Sequence, residues 1–310
     1  MNQADLKEEI SQLRKEKNAV ILAHNYQRSE IQLIADYVGD SLDLAKYSAK
    51  VDAELIVLAG VNFMAETAAL LNPIKTVLIP DNAAECPLAA QLPASAVREA
   101  RKKHPDAAVV LYVNTLADAK AEADVICTSA NAPLIVDAVD EKEVLFGPDK
   151  NLAWFVQRRT DKTVIPLPEH GCCYVHRMFS AADIALLKEK YPEAEVLVHP
   201  ECDPEVQQLA DHICSTSQMA LRARASPAKQ FIIGTEVSMI DKLQRDNPDK
   251  EFIPALGTAV CQQMKKHTLE KVYLSLRDRQ HVVTVPPNIA DRARAAIQRM
   301  LEISGRATRD

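Results

Sequence analysis

Cysteine offers this chain its most distinctive chemistry, and the spacing of its cysteines says more than their number. They stand at 86, 127, 172, 173, 202, 214 and 261, and no C-x-x-C occurs. That argues against thioredoxin-type redox chemistry and zinc ribbons. In a reducing compartment such thiols are buried hydrophobes, metal ligands or catalysts. Cys86, Cys173 and Cys261 are 87 and 88 residues apart, whereas Cys172 would give 86 and 89. Three thiolates meeting at one point could hold a [4Fe–4S] cluster whose fourth iron lacks a protein ligand and serves as a Lewis acid. A zinc ion with some fourth ligand is the rival, and spacing does not separate the two. Cys127, Cys202 and Cys214 fall outside this register and are expected in core or loops.

The same period recurs in residues suited to proton transfer and anion binding. Three β-rich runs end in polar tripeptides, His24-Asn25-Tyr26, Tyr112-Val113-Asn114 and His199-Pro200-Glu201, at steps of 88 and 87. In extended chain the first and third members point the same way. Histidine and glutamate are natural general acids and bases, while tyrosine and asparagine orient groups or stabilise oxyanions. Ala-Asp followed by a hydroxyl five positions later pairs Asp36 with Ser41, Asp124 with Ser129, and Asp211 with Thr216, again at 88 and 87. The hydroxyls precede apolar helical runs, so they are expected as N-caps that also face an anion. Apolar runs ending at Gly60, Gly147 and Gly234 add a fourth landmark, stepping by 87 and 87. His170 and His176, each three residues from Cys173, are further candidates; His104, His212, His267 and His281 are expected at the surface or in packing.

Elements that could present these residues together follow from the patterning. Short Val/Ile/Leu runs without alternation predict strands buried on both faces, separated by helices such as SEIQLIADYV and NFMAETAALL. The expected fold class is α/β: three homologous α/β/α sandwich units with parallel sheets around a pseudo-threefold axis. The units span residues 1–86, 87–173 and 174–261, and ligands gather beyond the strands' carboxyl ends. The tail, residues 262–310, restarts the pattern as helix, strand (HVVTV) and helix, but Pro286-Pro287 occupies the tripeptide position. It is expected to pack on the first unit without chemistry.

Composition excludes other classes. The chain has 310 residues with 37 basic and 43 acidic side chains, a net charge of −6, which disfavours a dedicated nucleic-acid binder. No G-x-G-x-x-G or P-loop occurs, and no apolar run suits a membrane span. The charged N-terminus, with Leu6, Ile10 and Leu13 at helical spacing, predicts a helix and a cytoplasmic protein.

The ordered set LAHNYQ, IADYVGDSLDLA, GVNFMAETAALLNP, YVN, TSANA, PDKNLA, C-x-V-H from Cys173 to His176, HPEC, FIIGTEV and CQQMKK resembles the quinolinate synthase family of NAD biosynthesis. The resemblance runs from about residue 19 to the last helix. It implies a triangle of three α/β/α domains around a [4Fe–4S] cluster held by Cys86, Cys173 and Cys261. It also implies condensation of iminosuccinate with dihydroxyacetone phosphate, losing phosphate and two waters, with the imine supplied by a separate aspartate-oxidising enzyme. Substrate contacts carry over to His24, Ser41, Tyr112, Asn114, Ser129, His199, Glu201 and Thr216, and Tyr26 matches an active-site tyrosine. Glu201 is the candidate base, with Tyr26 and His199 moving protons. Cys172 and the Glu-Cys-Pro-Leu-Ala setting of Cys86 depart from the family pattern. Another iron–sulfur hydro-lyase and a non-enzymatic zinc protein are the alternative readings.

Overall fold

The computed structural model describes residues 2–306. One order of eight elements occurs three times. The first unit runs α1 (Gln3–Glu16), β1 (Ala19–His24), α2 (Ser29–Gln32), β2 (Tyr37–Gly39), α3 (Ser41–Ser48), β3 (Leu55–Ala59), α4 (Asn62–Leu71) and β4 (Thr76–Leu78). The second runs α5 (Ala94–Lys103), β5 (Ala108–Tyr112), α6 (Ala117–Lys120), β6 (Val125–Cys127), α7 (Ala132–Asp137), β7 (Glu143–Gly147), α8 (Lys150–Gln157) and β8 (Thr163–Pro166). The third runs α9 (Ala181–Lys190), β9 (Glu195–Val198), α10 (Pro204–Leu209), β10 (His212–Ile213), α11 (Thr216–Ala225), β11 (Gln230–Gly234), α12 (Ser238–Asp246) and β12 (Glu251–Pro254). The tail adds α13 (Leu269–Asp278) and α14 (Pro287–Arg306).

Each unit builds a four-stranded parallel sheet, in the orders β2-β1-β3-β4, β6-β5-β7-β8 and β10-β9-β11-β12. The central strands β3 and β5 are buried throughout, as expected of strands covered by helices on both faces. All three sheets therefore present their carboxyl-end loops in the same relative place.

Three equivalent seams join the units into a ring. Gln32, Lys120 and Gln207 end or lie within the short helices α2, α6 and α10, at spacings of 88 and 87. Lys120, fully buried, donates to the Phe63 carbonyl at 3.2 Å and to Thr67 Oγ1 at 2.8 Å on α4. Gln207 donates to the Asn151 carbonyl on α8 at 3.3 Å, and Gln32 accepts from Arg245 on α12 at 2.7 Å. The second unit thus leans on the first, the third on the second, and the first on the third.

The tail divides between units. Helix α13 packs on α1 and β3, with Leu6 and Leu13 of the N-terminal stripe and buried Ile10 in the same cluster. HVVTV forms one antiparallel bridge, Leu78 to Val282, and stops short of a strand, because the prolines that follow cannot extend a ladder. Helix α14, begun by Pro287, runs along β6, α6, α7 and α4. Helix α14 thus covers part of the second unit as well as α4 of the first.

Candidate active site

The polar tripeptides close or follow the central strands; Ser41 and Thr216 open α3 and α11, and Ser129 lies in the loop between β6 and α7. One cavity of about 70 Å3 lies where the three units meet, ample for several water-sized groups. Its wall includes His24, Tyr26 and Ser41 of the first unit, Tyr112, Asn114 and Ser129 of the second, and His199, Glu201 and Thr216 of the third. Cys86, Cys173 and Cys261 line the same cavity, with Val61, Phe63 and Met64 as an apolar wall. All the residues named above as substrate contacts, proton carriers or thiol ligands line this cavity; His170 does not.

The hydroxyls are not the helix caps that the sequence suggested. Asp40 caps α3 by accepting from the Leu42 and Asp43 amides, and Ser215 caps α11 in a capping box with Gln218. Asn131 stands at the cap position of α7. Because the neighbour caps, Ser41 and Thr216 sit at the first helical position, their side chains released toward the cavity. Thr216 Oγ1 already accepts from Asn25 Nδ2 at 2.8 Å.

Glu201 organises the polar wall. Its Oε2 lies 2.7 Å from His176 Nδ1 and 3.9 Å from His199 Nδ1, and Asn114 Nδ2 donates to Oε1 at 3.4 Å. Burial alone would raise its carboxyl, but His176 and His199 beside it bring it down to about 2. Burial pushes His24 and His199 down to about 3, leaving both imidazoles neutral near pH 7. Burial, with the Glu201 charge second, drives the Tyr26 and Tyr112 phenols far above their usual range, so both remain donors.

The sequence marks His176 by its distance from Cys173 and its place in C-x-V-H, and carries Thr235 inside FIIGTEV with no role attached. The His176 ring stacks on His199 at 4.5 Å between centroids, while His170 is exposed. Thr235 Oγ1 meets the Tyr26 phenol at 2.5 Å and His176 Nε2 at 2.9 Å, crossing from third unit to first. The available signal was register: Thr235 follows Gly234 as Val61 follows Gly60.

The donor set suits a soft metal group. Burial pushes the Cys86 thiol up to about 12 and raises those of Cys173 and Cys261, so a cationic centre is what would ionise them. Two polar atoms of the cavity residues, His176 Nδ1 and Asn114 Oδ1, have no hydrogen-bond partner, although Nδ1 lies 2.7 Å from Glu201 Oε2. A second grouping overlaps the first, with ligand atoms of Cys173, His176 and Glu201 all within 4.8 Å of one another.

Comparison with known proteins decides the family. A family model described as quinolinate synthetase A protein matches residues 8–302. The quinolinate synthase of Methanothermobacter thermautotrophicus is 60% identical over 300 residues, covering 96% of this chain and 98% of that protein. Those of Pyrococcus furiosus and Thermococcus onnurineus are 53% and 51% identical, over 97% and 98% of this chain and 98% and 100% of theirs. The chain belongs to the quinolinate synthase family. It is an enzyme. In this quinolinate synthase family member Cys172, next to Cys173, does not line the cavity. Its backbone N–H donates to Gln91 Oε1 at 3.0 Å, its carbonyl accepts from Gln91 Nε2 at 3.1 Å, and Arg177 donates to its sulfur at 3.7 Å. No helix among the described residues is long and apolar enough to cross a membrane.

Proposed function

We propose that this chain makes quinolinate for NAD biosynthesis, condensing iminosuccinate with dihydroxyacetone phosphate and releasing phosphate and two waters. Cys86, Cys173 and Cys261 hold a [4Fe–4S] cluster in this reading. The observation that carries it is the convergence of three thiols and nine polar side chains, drawn from all three units, on one cavity. When bound, the cluster supplies an iron with an open position, a Lewis acid for a substrate oxygen or nitrogen.

The protein's own groups do the rest. Both substrates are anions, yet the cavity wall contains no lysine or arginine. Their charges meet the N-termini of α3 and α11, the hydroxyls of Ser41, Ser129 and Thr216, and the phenols of Tyr26 and Tyr112. An arriving anion also favours protonation of His24 and His199. Glu201, held as carboxylate, takes a proton at Oε2, and His199 and Tyr26 pass protons to departing oxygens. Holding two reactants side by side in one cavity removes much of the entropic barrier to carbon–carbon bond formation. We place the unit boundaries at the cysteines, as 1–86, 87–173 and 174–261, and assign the enzyme to the cytoplasm, where an aspartate-oxidising enzyme supplies the imine.

Anaerobically purified protein is expected to contain iron and sulfide in equal amounts and to form quinolinate from the two substrates, detected by chromatography. Absence of product would overturn the activity, and zinc in place of iron would overturn the cluster. Zinc is the second reading, favoured by the Cys173, His176 and Glu201 grouping.

A further inference from the structure

Each of the three cysteine loops is pinned by one side chain from the segment after the third strand of its sheet, where Asn62 opens α4 and Asp149 and Glu236 precede α8 and α12. The backbone N–H of Cys86 donates to Asn62 Oδ1 at 3.1 Å, that of Cys173 to Asp149 Oδ2 at 3.1 Å, and that of Cys261 to Glu236 Oε1 at 3.2 Å. Asn62, Asp149 and Glu236 are spaced by 87 and 87, each two residues beyond Gly60, Gly147 or Gly234. A second bond runs the other way in every unit. The N–H of Asn62 donates to the Ala84 carbonyl at 2.9 Å, that of Lys150 to Gly171 at 2.7 Å, and that of Val237 to Ala259 at 2.9 Å. Those carbonyls stand two residues before each cysteine.

We propose that Asn62, Asp149 and Glu236 are positioning residues, a threefold set of acceptors that fixes the cysteine loops so that the sulfurs face one centre. This rests on the reading of Cys86, Cys173 and Cys261 as ligands. Asp149 and Glu236 are fully buried, and a buried carboxylate is retained only where it has work for its oxygens. Each holds both ends of its loop. Asp149 Oδ1 accepts from the Asn151 and Leu152 amides at the start of α8, and Glu236 Oε2 from the Ser238 amide at 2.9 Å. Glu236 is tied in turn to Lys265 at 2.8 Å, whose ammonium also donates to the Tyr26 carbonyl. The Cys261 loop is therefore coupled to the first unit's tripeptide. Only an acceptor can face the cysteine N–H: at Asn62 one amide oxygen suffices, whereas Asp149 and Glu236 accept with both oxygens, so their amide variants must turn an NH2 group toward one of the donors.

The test uses the full-length chain with Asn62→Ala, Asp149→Asn and Glu236→Gln, plus Asn62→Asp, which keeps an acceptor oxygen. Ser180→Ala, which removes the cap of α9 away from the cysteines, controls for lost helix capping. In cluster-loaded protein, iron release to a chelator should speed up about tenfold in Asn62→Ala and Asp149→Asn, and remain as in the parent for Asn62→Asp and Ser180→Ala. In metal-free protein, iodoacetamide labelling read by mass spectrometry should rise at the matching cysteine alone: Cys86 for Asn62→Ala, Cys173 for Asp149→Asn, Cys261 for Glu236→Gln. Uniform labelling of all three, or parental iron release in the first two variants, would overturn the proposal. A parent without iron would overturn the cluster reading instead, and the labelling pattern would still judge the positioning set.

Discussion

Glu201 is ionised in a buried site only because neighbouring side chains hold it so, and its chemistry depends on that charge. Glu201→Gln keeps the shape and removes the proposed base. Quinolinate formation is expected to fall by about 10²–10⁴, the usual range for a general base, while visible cluster absorption is retained. Full activity in that variant would take Glu201 out of the role. The neutral histidines make a separate statement about pH. His24 and His199 are held at about 3, against 6.5 for an exposed imidazole, so between those values the unfolded chain binds more protons. Their contribution to stability is complete above about pH 6.5 and declines as pH falls, by about 1.4 kcal/mol per pH unit for each histidine. Urea melts of metal-free protein at pH 7, 6 and 5 should show that decline, shallower in His199→Asn. Equal stability at all three values would contradict it.

At the scale of elements, the Ala-Asp landmarks are structural. Asp36, Asp124 and Asp211 lie just before β2, β6 and β10, away from the carboxyl ends. Each accepts from a backbone N–H of the central strand, at Ile21, Val109 and Val196, at 2.8, 2.7 and 2.8 Å. Arg14, Arg101 and Lys188, spaced by 87 and 87, pair with the other oxygen from the preceding helix. The motif thus sews helix, central strand and neighbouring strand together while its hydroxyl partner faces the cavity. Asp124→Ala strands the Val109 N–H and should cost about 1–3 kcal/mol in a urea melt. Arg101→Ala removes a half-exposed ion pair and a bond to the Glu122 carbonyl, leaves the Val109 N–H satisfied, and should cost less, about 1 kcal/mol. Equal effects from the two would show that the charge pair, not the backbone bond, is what matters.

On the scale of the whole molecule, α14 lies outside the threefold repeat. It buries Ala293, Ala296, Ile297 and Met300, and Asn131 of the second unit donates to its Ser304 at 2.8 Å. Ending the chain at residue 286 removes that cover without touching a cavity residue. Burial of Ile297 and Met300 alone corresponds to more than about 3 kcal/mol, so the truncated chain should melt markedly earlier and aggregate on size-exclusion chromatography. An unchanged melting temperature would mean that α14 is dispensable.

The repeat, the strand type and the identity of the convergent residues were legible in the linear chain, because equivalent loops at the ends of equivalent strands recur at one period. That arithmetic even chose Cys173 over Cys172. Through-space relations were not legible. Asp40 and Ser215 displaced Ser41 and Thr216 as caps, because one residue of helical phase decides which side chain turns back to the amides. Thr235 and His176 entered the site because units far apart in sequence close a ring, and α14 crossed to β6 because an uncovered apolar face is buried by whatever reaches it. Local spacing determines which residues share a role, and only packing in three dimensions determines which atoms touch.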